Sequence, residues 1–73
     1  MRKEIMAALA NNNVEHYDIA YEENMSNIHV VIGNKEDAEM ITDAVVSVFC
    51  DDETAEINTL FNDRIVSCIV SYE

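Results

Sequence analysis

The chain has 73 residues, of which 15 are Asp or Glu and only 4 are Lys or Arg, so its formal net charge is −11. A domain this acidic repels nucleic acid and anionic membranes, and it attracts cationic surfaces at long range. The length predicts a single domain, residues 1–73, whose small core is of the kind that dimerisation often supplements. Hydrophobic residues make up 49% of the chain, which indicates a folded protein.

The first predicted element is a helix over residues 2–12. Ile5 and Leu9 are one helical turn apart, and the alanines between and after them favour the helical state. The run Asn11–Asn13 predicts a C-cap and turn, because Asn tolerates the left-handed conformation. The apolar stretch is too short and too polar for a signal peptide or a membrane span, so we expect no membrane association and a cytoplasmic protein.

A β-hairpin is predicted next. Residues 14–22 and 27–32 both alternate in the period-two pattern of half-buried strands, and residues 23–26 read as the turn between them. The residues expected to face inward are Tyr17, Ile19, Tyr21, Ile28, Val30 and Ile32, and those expected to face outward are His16, Asp18, Glu22, His29 and Val31.

Residues 34–50 predict an acidic amphipathic helix. Ala38, Ile41, Val45 and Val48 follow the three-and-four spacing of one helical face, which should pack on the sheet. Asn34 is the predicted N-cap. The opposite face carries Glu36, Glu39 and Asp43, and three consecutive carboxylates, Asp51, Asp52 and Glu53, follow the C-terminus of the helix, where its dipole disfavours negative charge.

A second hairpin completes the chain, with strands over residues 54–62 and 65–72. The inward positions are Ala55, Ile57, Thr59, Phe61, Val66, Cys68, Val70 and Tyr72. The element order α-β-β-α-β-β predicts an α+β fold: a four-stranded, mainly antiparallel sheet with both helices on one face. The other face of the sheet would then be open.

The residues suggest no catalytic chemistry. The chain has a single Gly, and therefore no glycine-rich phosphate loop, and no nucleophile stands beside a recognisable base. His16 and His29 fall on neighbouring strands but lack the spacing of a metal motif, and Cys50 and Cys68 have no further ligands for zinc. We therefore expect no catalytic residue, no cofactor, no metal and no disulfide, with Cys68 as a buried apolar residue.

The acidity itself suggests a function. Between Glu36 and Asp63 the chain has nine carboxylates and no Lys or Arg. Carboxylates two residues apart on a strand repeat at about 6.6–6.8 Å, close to the spacing of successive phosphates, so the chain could occupy the basic surface of a nucleic-acid-binding protein, such as a nuclease or RNA-guided defence effector, without binding nucleic acid itself. The residues predicted to contact that partner are Asp18, Glu22, Glu36, Glu39, Asp43, Asp51, Asp52, Glu53 and Glu56.

In size, charge and element order the chain resembles the small acidic inhibitors that phages and mobile elements direct at host defence, including anti-CRISPR proteins. The resemblance includes no sequence motif. It implies a non-enzymatic inhibitor that acts in the host cytoplasm.

The alternative hypothesis is a small homodimeric structural or regulatory subunit whose acidity serves only solubility. The outward side of the fourth strand is less polar than an open sheet face usually is. The predicted dimer face consists of Val31, Leu60, Ile65 and Ile69.

Overall fold

The computed structural model of the chain describes residues 2–20 and 28–72. It contains two helices and four strands in the predicted order, so the α+β fold is confirmed. The predicted turn at residues 23–26, and with it Tyr21 and Glu22, lies outside the described residues. The elements are α1 (Arg2–Asn11), β1 (Tyr17–Ala20), β2 (Ile28–Asn34), a single 3-10 turn (Lys35–Asp37), α2 (Ala38–Phe49), β3 (Glu56–Asn62) and β4 (Ile65–Ser71).

The four strands form one antiparallel sheet in the order β1-β2-β4-β3. The two hairpins therefore join through their second strands, β2 and β4, which occupy the centre. Strand β2 runs in the same direction as β3, because each is antiparallel to the β4 strand between them, and α2 carries the chain from one to the other. Strands β1 and β3 form the two edges of the sheet.

Both helices contribute to one core on one side of the sheet. Most buried side chains come from one face of each helix and from alternate residues of the two central strands. Side chains return to the same face every 3.6 residues in a helix and every two residues in a strand. None of the described helices is long and apolar enough to cross a bilayer. The core consists of Ile5, Leu9, Val14, Val31, Ile41, Ala44, Val45, Phe49, Val66, Cys68 and Val70.

Helix α1 ends in a Schellman motif, which confirms the predicted C-cap. Asn13 has a left-handed backbone with a φ of 63°. The N–H of Val14 donates to the carbonyl of Leu9 at 2.9 Å, and the N–H of Asn13 donates to the carbonyl of Ala10 at 3.0 Å. Val14 and Leu9 are both buried, which is the hydrophobic contact that accompanies this motif.

Substitution of Asn13 tests this cap. Asn13→Val should destabilise the protein by about 1–2 kcal/mol, because a β-branched residue is strained in the left-handed region. Asn13→Gly should change the stability by less than about 1 kcal/mol, because Gly relieves the left-handed strain but gains entropy in the unfolded chain. Urea denaturation followed by circular dichroism measures both changes. Since the Asn13 side chain is exposed, equal effects of the two substitutions would contradict the assignment.

The predicted N-cap at Asn34 is wrong. Asn34 is the last residue of β2, its backbone is extended, and its side chain makes no capping hydrogen bond. Its backbone instead pairs with Ile65 of β4. Helix α2 begins after a 3-10 turn, and Asp37, at its start, makes no side-chain capping hydrogen bond either.

The facing of β2 is the reverse of the prediction. His29 and Val31 face the helices, whereas Ile28, Val30 and Ile32 lie on the opposite side of the sheet. The register explains this, because Val31 pairs with Cys68 and Gly33 pairs with Val66, both of which are core residues of β4. Directly opposite residues in an antiparallel pair share a face.

Gly33 accounts for this facing. A Cβ added at Gly33 would lie 2.5 Å from the Cδ1 atom of Ile41 in α2. Ile41 is fully buried, so a side chain at position 33 would force the end of the Ile41 side chain to move within a filled core. The single Gly of the chain therefore marks the face of β2 on which the helix rests.

Gly33→Ala should destabilise the protein by about 1–3 kcal/mol, because the added methyl group overpacks a filled core. Ile41→Val removes the Cδ1 atom and should alone cost about 0.5–1.5 kcal/mol. In the Gly33→Ala background the same change should cost less or even stabilise. A double-mutant cycle on unfolding free energies measures the coupling, and additive effects would show that the two positions do not touch.

Candidate functional site

An acidic ridge runs along the outer surface of the helix layer. We use this name for Glu36, Glu39, Asp43, Asp51 and Glu53, all of which are exposed. Glu39 and Asp43 are one turn apart on α2, about 6 Å along its axis. Because α2 spans the sheet from the end of β2 to the start of β3, roughly 18 Å, the ridge extends from one end of the sheet to the other.

The ridge borders a shallow groove beside the sheet edge. Glu39 and Asp43 stand on one wall of the groove, and Phe61 of β3 lines it from the sheet. The hydroxyl oxygens of Thr42 and Thr59 lie 3.3 Å apart and link α2 to β3. The groove therefore combines an acidic rim with a partly apolar lining of Ala38, Thr42, Thr59 and Phe61.

Phe61 was predicted as a core aromatic, and that prediction is wrong. Its side chain is on the helix side of the sheet, but 57% of it is exposed. The reason is that β3 is an edge strand, which pairs with β4 on one side only within the described part of the chain. The other edge of β3 presents unpaired backbone N–H and C=O groups next to the groove.

Asp52 differs from the other carboxylates after α2. Its Oδ1 atom accepts hydrogen bonds from the backbone N–H of Thr54 at 2.9 Å and from the Thr54 hydroxyl at 2.7 Å. These bonds hold the pKa of Asp52 below its ordinary value. Asp52 therefore shapes the loop into β3, while Asp51 and Glu53 on either side of it are exposed.

The structure does not bring all predicted partner-binding residues together. Asp18 belongs to β1, the edge strand furthest from β3, and its side chain lies on the sheet face opposite the helices. Glu56, at the start of β3, lies on that same face. Glu22 lies outside the described residues. The predicted set thus divides into the ridge, the structural Asp52 and two carboxylates on the other side of the sheet.

His29 was predicted on the surface but is only 8% exposed. Its ring is stacked on Tyr72 and also contacts Phe49, and its Nε2 atom lies 3.2 Å from the Tyr72 hydroxyl. His29 pairs with Val70 near the start of β2, whereas His16 precedes β1 at the opposite end of the sheet. The two histidines are therefore apart, and the described residues contain no cluster of three or more candidate metal ligands.

Burial lowers the pKa of His29, because the charged imidazolium loses its solvation in the aromatic cluster. The unfolded chain therefore takes up this proton at a higher pH than the folded chain does. We expect the unfolding free energy contributed by neutral His29 to be complete above about pH 6.5, the ordinary His pKa, and to decline as the pH falls below it. Urea denaturation between pH 8 and 5.5 measures this slope, and the variant His29→Leu, which cannot titrate, should show a shallower one.

The two cysteines are free and differ in their surroundings. Cys50 is exposed just after α2, whereas Cys68 is a fully buried core residue of β4. The burial of Cys68 as a small apolar residue is as predicted. Burial also raises the pKa of the Cys68 thiol, which disfavours its reactive thiolate form.

Half of the strand residues on the side of the sheet away from the helices are aliphatic, and the others are Asp18, Asn34, Glu56, Asn58, Asn62, Ser67 and Ser71. Leu60, Ile65 and Ile69 lie there as predicted, and Leu60 and Ile65 are 56% and 49% exposed. Val31 does not, because it is fully buried under the helices, and its inclusion in the predicted dimer face is wrong. We call this surface the open face, defined by Ala20, Ile28, Val30, Ile32, Leu60, Ile65 and Ile69.

The ridge and the open face are thus the two surface features of the described residues on which a function can be argued. They lie on opposite sides of the molecule. The sequence pattern grouped Glu36 with Glu39 and Asp43, and Leu60 with Ile65 and Ile69, whereas the contribution of β2 to the open face follows only from the register. No protein-family model, curated protein or solved structure matches the chain.

Proposed function

We propose that the protein is a non-enzymatic inhibitor that occupies the cationic nucleic-acid-binding surface of another protein. The observation that carries this proposal is the acidic ridge, a row of exposed carboxylates beside a groove. Of the carboxylates from Glu36 to Glu56, the hydrogen bonds between described side chains engage only Asp52. The ridge carboxylates are therefore available to a partner.

The charge pattern favours a cationic protein as the partner. Lys and Arg are missing from the sequence between Lys35 and Arg64, so the ridge carries a large excess of negative charge, with Lys35 and Arg64 beside Glu36 at one end of it. Its field repels nucleic acid and anionic lipid and steers cationic surfaces towards it. A surface that binds nucleic acid offers several Lys or Arg side chains in a row, which is the complement of the ridge.

The groove adds a contact that charge alone does not supply. Phe61 is large, exposed and adjacent to Glu39 and Asp43. An aromatic side chain of this kind packs well against the aliphatic stems or the guanidinium of Arg. A partner segment that is both basic and extended could therefore contact the ridge and the exposed edge of β3 together.

A phage or mobile-element origin and action in the host cytoplasm are part of this proposal. They are supported by the resemblance in size and charge to inhibitors of host defence systems. Catalysis plays no part in it, since binding to the partner suffices for inhibition.

A capture experiment tests the proposal. The immobilised protein is offered the heparin-binding fraction of a bacterial lysate, which is enriched in nucleic-acid-binding proteins, in low-salt buffer. We expect it to retain a protein that either added duplex DNA or added RNA displaces, and that is released as the salt concentration rises. Failure to retain any such protein, or retention that neither nucleic acid nor salt affects, would overturn the proposal.

A further inference from the structure

The open face is a surface of aliphatic and mostly uncharged polar side chains on a very acidic protein. It contains six branched aliphatic side chains and Ala20, contributed by all four strands. Both described helices pack on the other side of the sheet. Exposed apolar side chains grouped on one face of a sheet generally mark an interaction surface.

The charges around the open face restrict what can cover it. Among the described strand residues that point to this side, only Asp18 and Glu56 are charged, and they lie on opposite edges of the sheet. The ridge lies on the helix layer, on the far side of the molecule. A cationic partner drawn to the ridge therefore leaves the open face uncovered, while a second copy placed sheet to sheet would keep both ridges on the outside.

The size of the open face suits a small symmetric interface. Three strands of seven residues and the four residues of β1, at about 4.8 Å between strands and about 3.3 Å per residue, give a planar footprint of roughly 400 Å². Projecting side chains make the accessible area larger than the footprint, which brings it towards the roughly 800 Å² per partner of a standard interface.

We propose that two copies of the chain pair through their open faces, about a two-fold axis that crosses the strands. Such an axis places the start of each β3 opposite the end of the partner β3. Glu56 begins β3 and Arg64 lies in the turn that follows it, held at the end of the sheet by a 2.8 Å hydrogen bond from the N–H of Lys35 to the Arg64 carbonyl. The pairing therefore brings Glu56 opposite the turn that holds the partner subunit's Asp63 and the partner subunit's Arg64. Arg64 is the cation at that end of the interface that can pair with Glu56, while the aliphatic side chains of the two faces pack against each other.

Sedimentation equilibrium of the purified protein, from low micromolar to millimolar concentration, tests the pairing. We expect a monomer–dimer equilibrium that high salt leaves largely intact. Ile65→Thr/Ile69→Thr should raise the dissociation constant about tenfold or more, because it removes apolar contacts but keeps β-branched strand residues. The control Val46→Thr changes an exposed apolar residue of α2, outside the face, and should leave the constant unchanged.

Charge reversal tests the two-fold arrangement. Glu56→Arg and Arg64→Glu should each weaken the dimer about tenfold, and the double variant should restore most of the affinity, because the ion pairs reform with reversed sign. A protein that stays monomeric at millimolar concentration, or a dimer in which the double variant adds the two losses, would overturn the proposal. Higher oligomers without a dimer would also overturn it. The pairing does not depend on the ridge, so capture of a cationic partner can fail while dimerisation is observed, and the reverse.

Discussion

Neutralising two carboxylates of the ridge should weaken partner binding about 100-fold. In Glu39→Gln/Asp43→Asn, two groups that face the groove lose their charge but keep their shape and hydrogen-bonding capacity. Close interfacial charge pairs contribute roughly 1.5 kcal/mol or more each, and two of them amount to about two orders of magnitude in affinity. The affinity of the captured partner, measured by titration calorimetry at low salt, gives the effect directly.

The double variant Glu15→Gln/Asp18→Asn is the matched control. It removes one Glu and one Asp, both exposed, from the region of β1, at the edge of the sheet opposite the groove that Glu39 and Asp43 border. It therefore changes the net charge by the same amount, and its effect on affinity should be small. Equal losses in the two variants would mean that the partner senses only total charge, and the ridge would not be the binding site.

The stability of the ridge variant provides a second readout. Glu39 and Asp43 repel each other one turn apart, at a cost of a few tenths of a kcal/mol, and Glu39 gains a similar amount from the helix N-terminus. The variant should therefore unfold at the same temperature as the original protein or slightly above it. A clear loss of thermal stability would show that these carboxylates support the fold and are not reserved for a partner.

Val31→Asp should prevent folding, whereas Val30→Asp should not. Val31 of β2 is fully buried between the sheet and the helices, so a carboxylate there would lose its hydration without gaining a partner. The cost of several kcal/mol is comparable to the whole stability of a small domain, roughly 4–11 kcal/mol at this length. Val30 lies on the open face and is partly exposed, so an Asp there remains hydrated.

Far-ultraviolet circular dichroism and urea denaturation distinguish the two variants. The expected result is an unfolded spectrum for Val31→Asp and a native one with reduced stability for Val30→Asp, which should also fail to dimerise. If Val30→Asp unfolded the protein and Val31→Asp did not, Val30 would face the core, as the sequence pattern of β2 predicts. The pair of neighbouring substitutions therefore decides which side of the strand is the core.

The pattern of apolar residues was sufficient to predict the element order and the packing faces of α2 and β4. In both, one stripe or one alternation is clearly more apolar than the other, so periodicity identifies the buried side. The Asn11–Asn13 run likewise predicted the end of α1 because few other residues adopt the left-handed backbone that a Schellman motif needs. These features depend on local chemistry, which the sequence contains in full.

Strand β2 could not be assigned from its own pattern. Ile28, Val30 and Ile32 are more hydrophobic as a set than His29, Val31 and Gly33, yet the second set faces the core. A central strand has a covered and an uncovered face, and here the uncovered one is also aliphatic, so hydrophobicity does not distinguish them. Gly33 indicates which face of β2 is buried, because the Ile41 side chain of α2 packs where Gly33 has no side chain. The pattern of the strand alone does not show this contact with another element.

Which carboxylates act together was also beyond the sequence. Spacing on α2 correctly grouped Glu39 with Asp43, because both lie on one helix. Asp18 and Glu56 were grouped with them, but the pairing registers of β1 and β3 place these two on the side of the sheet away from the helices. The exposure of Phe61 has the same origin, since only the sheet topology shows that β3 is an edge strand.

Cys50 is exposed and Cys68 is buried, so the reaction of the Cys68 thiol can report the unfolding of the protein. A thiol reagent should modify Cys50 at once, whereas Cys68 can react only when the core opens. If opening and closing are fast compared with alkylation, the rate at which a second label appears in the mass spectrum reports the population of the open form. The labelling of Cys68 can therefore rank the folded variants by stability in native buffer and at low protein concentration, without denaturant.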